Sequence, residues 1–348
     1  MKVSVLIPAF NHAAYLEEAI LSVLNQSYSD FELLISDDHS DDGTPAVLRK
    51  YEKHPKVQAF FQKKHIGAVE QIHFLVERAS GAYIALLNSD DYWRTDKLQQ
   101  QVDCLETHPE MGACFTHAVI VDEQGKPLTV DNFPLLEIFM QPNRSRSSWI
   151  NYFYHKGNCL CHPSILARAG IYKKAYRLNP GLRQLPDYDL WTRYVLDNEF
   201  IILQEPLTYY RKIGIENTSA WTAENEAMLF REQAWIRKRM IEALDERTFK
   251  ESFYRELRRG EASGTETLCE KFFLLAKMGE KDRFMREQAI EYYLEHARNP
   301  AFSRIMSDVY SFSDADFFLF VRAKEAKASE KKRGLERIFM ALKYIVKG

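Results

Sequence analysis

Apolar and polar positions change period repeatedly along the first hundred residues. Val3–Ala9 is an apolar run broken only by Ser4, which reads as a buried strand. Residues 13–26 then place Leu16, Ala19, Ile20, Val23 and Leu24 at helical spacing. Residues 31–36, Val57–Phe61 and residues 83–87 repeat the strand pattern, and a helix is expected over 69–79. Thr44-Pro45 reads as another helix start, with threonine as cap and proline at the first helical position. Strands alternating with helices predict an open α/β sheet, whose ligands gather at the C-terminal ends of the strands. Residues 112–130 are strand-like with a turn at 123–126, and 131–185 hold Pro134, Pro142, Pro163 and Pro180 and read as loops and short helices. A helix is expected over 187–196, then short strands at 200–203 and 207–212 around Pro206.

After Trp221 the only remaining proline is Pro300, and apolar residues recur every three or four positions. Helices are expected near 223–245, 248–260, 265–278, 283–297, 313–328 and 331–346. The chain is therefore read as two domains, 1–221 and 222–348.

Composition narrows the classes. With 348 residues, 46% of them apolar, the chain can bury a full core, which excludes a disordered protein. A net charge of −2 offers no general attraction for nucleic acid. Five cysteines form no disulfide framework and suit a reducing compartment. No run approaches the ~20 apolar residues of a membrane-spanning helix, so a cytoplasmic protein is expected, at most peripheral on the inner face of the membrane.

Two acidic clusters carry candidate chemistry. Asp37, Asp38, Asp41 and Asp42 follow the second strand, and Asn88-Ser89-Asp90-Asp91 follow the fourth. Carboxylates this close need solvent, donors or a cation; the first cluster equally suits a solvated turn, and a lone Asp-Asp pair a helix cap. At equivalent ends of one sheet, the two together favour a hard divalent cation and a phosphate-bearing ligand.

These blocks resemble the family 2 glycosyltransferases of bacterial type, which have a GT-A fold. The resemblance runs through Val3 to Asn11, Ile20 to Ser27, Phe31 to Asp38 and Gly81 to Asp91, and is strong over about residues 1–125. It implies that Pro8 and Phe10 line a nucleotide-base pocket, that Asp38 accepts a hydrogen bond from the base, and that Asn88 and Asp90 handle the nucleotide sugar. Asp91 with Asp90 would hold Mn2+ or Mg2+. Asn88 stands where the family has aspartate and brings no charge. Gly67 and His73 fall where the family often has glycine and asparagine, His73 equally suiting a plain helix position.

The segment Leu185-Pro186-Asp187-Tyr188-Asp189 resembles the family's Glu-Asp element, which makes Asp187 the catalytic base. Read without the family, Asp187 is a helix-start carboxylate and Asp189 a solvated one. His162 either packs or touches a substrate, and Cys159-Leu160-Cys161-His162 lacks the second pair a structural zinc site needs.

The implied activity is inverting, metal-dependent transfer of a sugar from a nucleotide-diphosphate donor, a UDP-sugar above all, to a hydroxyl of a glycan or lipid-linked acceptor. The alternative is a catalytically inactive nucleotide-sugar-binding protein, suggested by Asn88 and Pro186. The terminal segment places Leu335, Ile338, Phe339, Leu342, Ile345 and Val346 on one helical face among basic residues. That pattern suits peripheral contact with an anionic membrane, or docking on the other C-terminal helices or a second subunit.

Overall fold

The computed structural model describes residues 2–129, 136–175, 177–213 and 223–323. They fall into two units, one from Met1–Arg144 with Asn158–Thr218, the other from Ser145–Gly157 with Ser219–Gly348.

The first unit is built on one sheet of eight strands: β1 (Val3–Ala9), β2 (Phe31–Asp37), β3 (Val57–Phe61), β4 (Tyr83–Leu86), β5 (Tyr92–Trp93), β6 (Met111–Val121), β7 (Leu166–Arg168) and β8 (Glu199–Arg211). Their order is β3-β2-β1-β4-β7-β6-β8-β5. β3, β2, β1 and β4 are parallel. β7 runs against both β4 and β6, while β6 and β8 are parallel. It follows that β1, β2, β4, β6 and β8 all end at one edge. β1 and β2 are buried almost throughout, as strands covered on both faces must be. Leu16, Ala19, Ile20 and Val23 of helix Leu16–Leu24 join that core at the predicted spacing.

Three sequence expectations are corrected. The two strands around Pro206 are one strand, because the register shifts around His117 absorb the proline opposite it. Thr44 lies inside its helix behind Gly43, and its hydroxyl accepts from the His12 N–H instead of capping. Helices Lys97–Thr107 and Pro300–Asp308 and strand β7 were not expected as elements, and Arg146–Lys156 is an eleven-residue helix where only short helices and loops were expected.

The second unit, in its described part, is helical: Arg146–Lys156, Ala223–Ala243, Glu246–Phe253, Thr265–Gly279, Arg283–His296, Pro300–Asp308 and Asp314–Arg322. Phe249, Phe272, Met285, Ala289, Tyr292 and Phe302 are buried in it. Gly279 has no room for a side chain, since a Cβ there would lie 2.8 Å from Arg286 Cα. Tyr154 on Arg146–Lys156 donates to the Leu274 carbonyl at 2.9 Å. No described helix is long and apolar enough to cross a membrane. The terminal helix expected at 331–346 lies outside the described residues.

Candidate active site

The strand directions assemble the site. β1 and β2 end side by side, with Ala9 opposite Asp37, and the loops that follow interlock. The Asn11 N–H donates to Ser40 Oγ at 2.9 Å, and the Asp41 N–H to Asn11 Oδ1 at 3.1 Å. Asp42 accepts from the Ala13 and Thr44 N–H groups, so this part of the acidic cluster closes a turn. Asp38 is different: its carboxylate is fully buried and accepts from the Ile66 and Gly67 N–H groups, each at 2.8 Å. Gly67 has φ +88°, a conformation that leads the chain into helix Ala68–Arg78 and that glycine adopts without strain. His65 Nδ1 lies 3.0 Å from Asp38 Oδ2. Its ring lies against Phe10, centroids 4.4 Å apart and planes tilted by 43°, and Pro8 is half-buried.

Beyond β4 the chain turns through Asn88-Ser89-Asp90-Asp91. His12 Nδ1 lies 2.7 Å from Ser89 Oγ, joining the loops after β1 and β4. Asp91 is buried; one oxygen accepts the Arg211 N–H at 2.7 Å and the other the Asn88 side-chain amide at 2.9 Å. Burial, then the adjacent Asp90 charge, push the Asp91 carboxyl well above its ordinary range. Burial raises Asp90 as well, against the charges of His12 and Arg211.

Helix Pro186–Asp197 runs back from this edge to the start of β8, which brings its first turn to the strand ends. Asp187 accepts from the Asn158 side-chain amide at 2.7 Å and from the Tyr188 N–H at 2.8 Å. Burial outweighs both and pushes its carboxyl up to about 6. Asp90, Asp91 and Asp187 share one field: after burial, their three negative charges are among the causes that raise the Tyr210 hydroxyl.

Asp189 is not solvated. It is buried and paired with Arg193 at 2.9 Å, and Arg193 in turn holds the Ala175 and Arg177 carbonyls. A short helix carrying two acids in its first turn cannot present both to the same side, since they stand about 200° apart around the axis. His162 packs edge-on against Trp191, centroids 5.2 Å apart, and burial drives it down to about 3. His73 lies on Ala68–Arg78, 3.7 Å from Glu70. No group of three or more His, Cys, Asp or Glu side chains is placed to hold a metal ion among the described residues.

Sequence reasoning missed Asn158, Tyr210 and Arg211. Arg211 is buried at the end of β8; its Nε donates to the Asp90 carbonyl, Nη1 to the Glu123 carbonyl and Nη2 to Glu18. In the sequence Arg211 and Lys212 together close an apolar, aromatic stretch. Nothing there tells which of the two is buried until the partners of Arg211 are known.

The sequence model of Glycosyl transferase family 2 matches residues 4–170. An uncharacterized glycosyltransferase of Nostoc sp., alr2836, is 30% identical over 236 residues, covering 65% of this chain and 70% of its own. This chain belongs to glycosyltransferase family 2. EpsE of Bacillus subtilis is 31% identical to the family 2 chain over 197 residues, 56% of this chain and 66% of EpsE. The chain spans half to two thirds of the length of the first curated relatives it matches. In three dimensions it is similar to residues 1–349 of S. aureus TarS in complex with UDP-GlcNAc, with TM-score 0.60 and 18% identity, covering 86% of this chain and 92% of that one. The family 2 sheet thus has the GT-A fold expected from the sequence.

Proposed function

We propose that this chain moves a sugar from a nucleotide-diphosphate donor, a UDP-sugar, to a hydroxyl of a glycan or lipid-linked acceptor with inversion at the anomeric carbon. The observation that carries the reading is Asp187, a carboxylate pushed up to about 6 at the strand-end edge that also bears Asp90 and Asp91. A base poised near neutrality can take the proton of an attacking hydroxyl and still exist unprotonated beforehand. Asn158 fixes its orientation through one oxygen. The UDP-GlcNAc held by TarS in the same fold supports the choice of nucleotide.

Two adjacent buried carboxylates, both pushed up by burial and Asp91 also by the Asp90 charge, are a donor set that a hard divalent cation suits. Each oxygen of Asp91 accepts one hydrogen bond, from Arg211 and from Asn88, and keeps a lone pair, so Asp91 with Asp90 would hold Mn2+ or Mg2+. When bound, the ion would offset the charge on the leaving diphosphate. Asn88 acts in this arrangement as a donor to Asp91, a task an aspartate could perform only when protonated. That gives the departure from the family pattern a structural role and favours an active enzyme over an inactive binding protein.

The test is a calorimetric titration with UDP in Mn2+, followed by transfer assays with UDP-sugars. UDP affinity should collapse in Asp90→Ala and on chelation, and Asp187→Asn should bind UDP normally while transfer is lost. UDP affinity indifferent to both Asp90 and chelator would overturn the metal assignment.

A further inference from the structure

The stretch of chain that leads into Asp187 is cationic and carries no acid. Acids make up one residue in seven of the whole chain, so residues 138–186 would ordinarily hold about seven; they hold none, against eight Lys and Arg. Within the first unit, two of those cations have structural partners. Arg168 donates to the Met111 and Leu105 carbonyls, and Lys173 to the Ala79 carbonyl. Arg177 and Arg183 are exposed instead, on the loop that enters helix Pro186–Asp197, with Arg183 four residues before Asp187.

That loop is tied to the helix it enters. Arg193, paired with Asp189 at 2.9 Å, donates to the Ala175 carbonyl at 2.7 Å and to the Arg177 carbonyl at 2.9 Å. One guanidinium thus grips both an acid of the first helical turn and the backbone of Arg177, which keeps Arg177 at the end of the helix that bears Asp187. Leu178 and Leu182 are buried, and between them the Asn179 side chain accepts the Gly181 N–H at 2.9 Å. The backbone is pinned while the two cationic side chains face solvent.

A hydroxyl delivered to Asp187 enters a field already set by Asp90, Asp91 and Asp187. A neutral acceptor gains little from two arginines at that entrance, whereas an acceptor phosphate would be repelled without them. The divalent cation read at Asp90 and Asp91 would serve the donor's diphosphate, so charge on the acceptor needs partners of its own. Guanidinium groups offer paired N–H donors that match phosphate oxygens.

We infer that the acceptor carries a phosphate group near its reactive hydroxyl and that Arg177 and Arg183 hold it. This rests on the reading of Asp187 as the base that receives that hydroxyl. The recognised chemistry is the phosphate, which a lipid diphosphate-linked sugar and a phosphodiester-linked polyol can both supply.

The experiment measures calorimetric binding to the full chain with UDP and Mn2+ present. The probes are geranyl diphosphate-linked N-acetylglucosamine beside the geranyl glycoside that lacks the diphosphate, and a glycerol phosphate oligomer beside uncharged triglycerol. At least one phosphate probe should bind about tenfold or more tightly than its neutral counterpart, with the gap narrowing at high salt; the probe that shows it names the source of the phosphate. Arg177→Gln/Arg183→Gln should weaken that probe about ten- to a hundredfold, the worth of charge-assisted hydrogen bonds, and leave UDP affinity as it was. Arg177→Lys/Arg183→Lys, which keeps the charge, should retain most of the salt-sensitive preference. No preference for either phosphate probe in the wild type, or a preference untouched by the glutamine pair, would overturn the inference. A fall in UDP affinity in the glutamine pair would overturn it too, assigning the arginines to the donor's diphosphate. Full transfer in Asp187→Asn would instead remove the base, a result read independently of these titrations.

Discussion

Asp187 and Asp189 show how much two residues of helix decide. Asp187 is held by an amide and a backbone N–H at the site, whereas Asp189 is spent on Arg193. Replacing Asp187 with Asn should lower kcat by about 10²–10⁴ with little change in donor affinity. Asp189→Asn should instead leave turnover nearly intact and destabilise the fold by about 1–3 kcal/mol, the cost of leaving Arg193 part-paired; thermal denaturation beside the assay separates the two. Because burial raises the Asp187 carboxyl to about 6, kcat/KM should climb with pH through that value as the base loses its proton. Asn158 stabilises the charged form, so Asn158→Ala should move the rising limb to higher pH. The same shift sets the sign for stability: the raised group favours the folded state below the unfolded carboxyl's pKa, and that contribution is lost as pH rises through about 6.

Among elements, the end of β8 holds the site most firmly. Arg211 ties the Asp90-Asp91 loop to the turn at Asp122–Glu123 and to Glu18, between the rings of Tyr15 and Tyr92 at 4.9 and 5.4 Å. Arg211→Met removes these bonds at once and should cost about 3 kcal/mol in denaturant titration. UDP affinity in Mn2+ should drop with it, because the Asp90-Asp91 loop loses its anchor; full affinity in a folded variant would show that Asp91 and Asn88 suffice. Strands β1 to β3, with their apolar runs, were legible within a residue. Helix Arg146–Lys156 was not, because its aromatic residues Trp149, Tyr152, Phe153 and Tyr154 crowd one sequence stretch and blur its period. Its place in the helical unit depends on Tyr154 and Asn151, which bond Leu274 and Ser252 more than a hundred residues away.

For the molecule as a whole, ligand binding to the first unit should appear as stability. At about 100 times its dissociation constant, UDP with Mn2+ should raise the melting temperature of that unit's transition by roughly 5–11 °C, and chelator should remove the gain. The charge balance, net +3 after residue 221 and −5 before it, is set by sequence alone. The basic, apolar terminal segment lends itself to a separate measurement. Full chain should sediment with anionic vesicles at low salt, and a chain ending at Ser329 should not, each basic residue contributing about 1 kcal/mol near such a surface. Equal, salt-insensitive recovery of both would remove the membrane reading, whereas loss of solubility or of an oligomer on truncation would favour docking on protein.

The sequence by itself determined the α/β sheet, the two acidic clusters at its strand ends and the family, because all three are written in local period and in the order of short blocks. The tertiary structure alone decided which carboxylates are engaged by other groups of the protein. Asp42 and Asp189 are spent on a turn and an ion pair, and Asp91 is spoken for by Arg211 from a strand 120 residues later. Whether a charged group is available depends on the donors around it, and here those donors arrive from elements far apart in the chain.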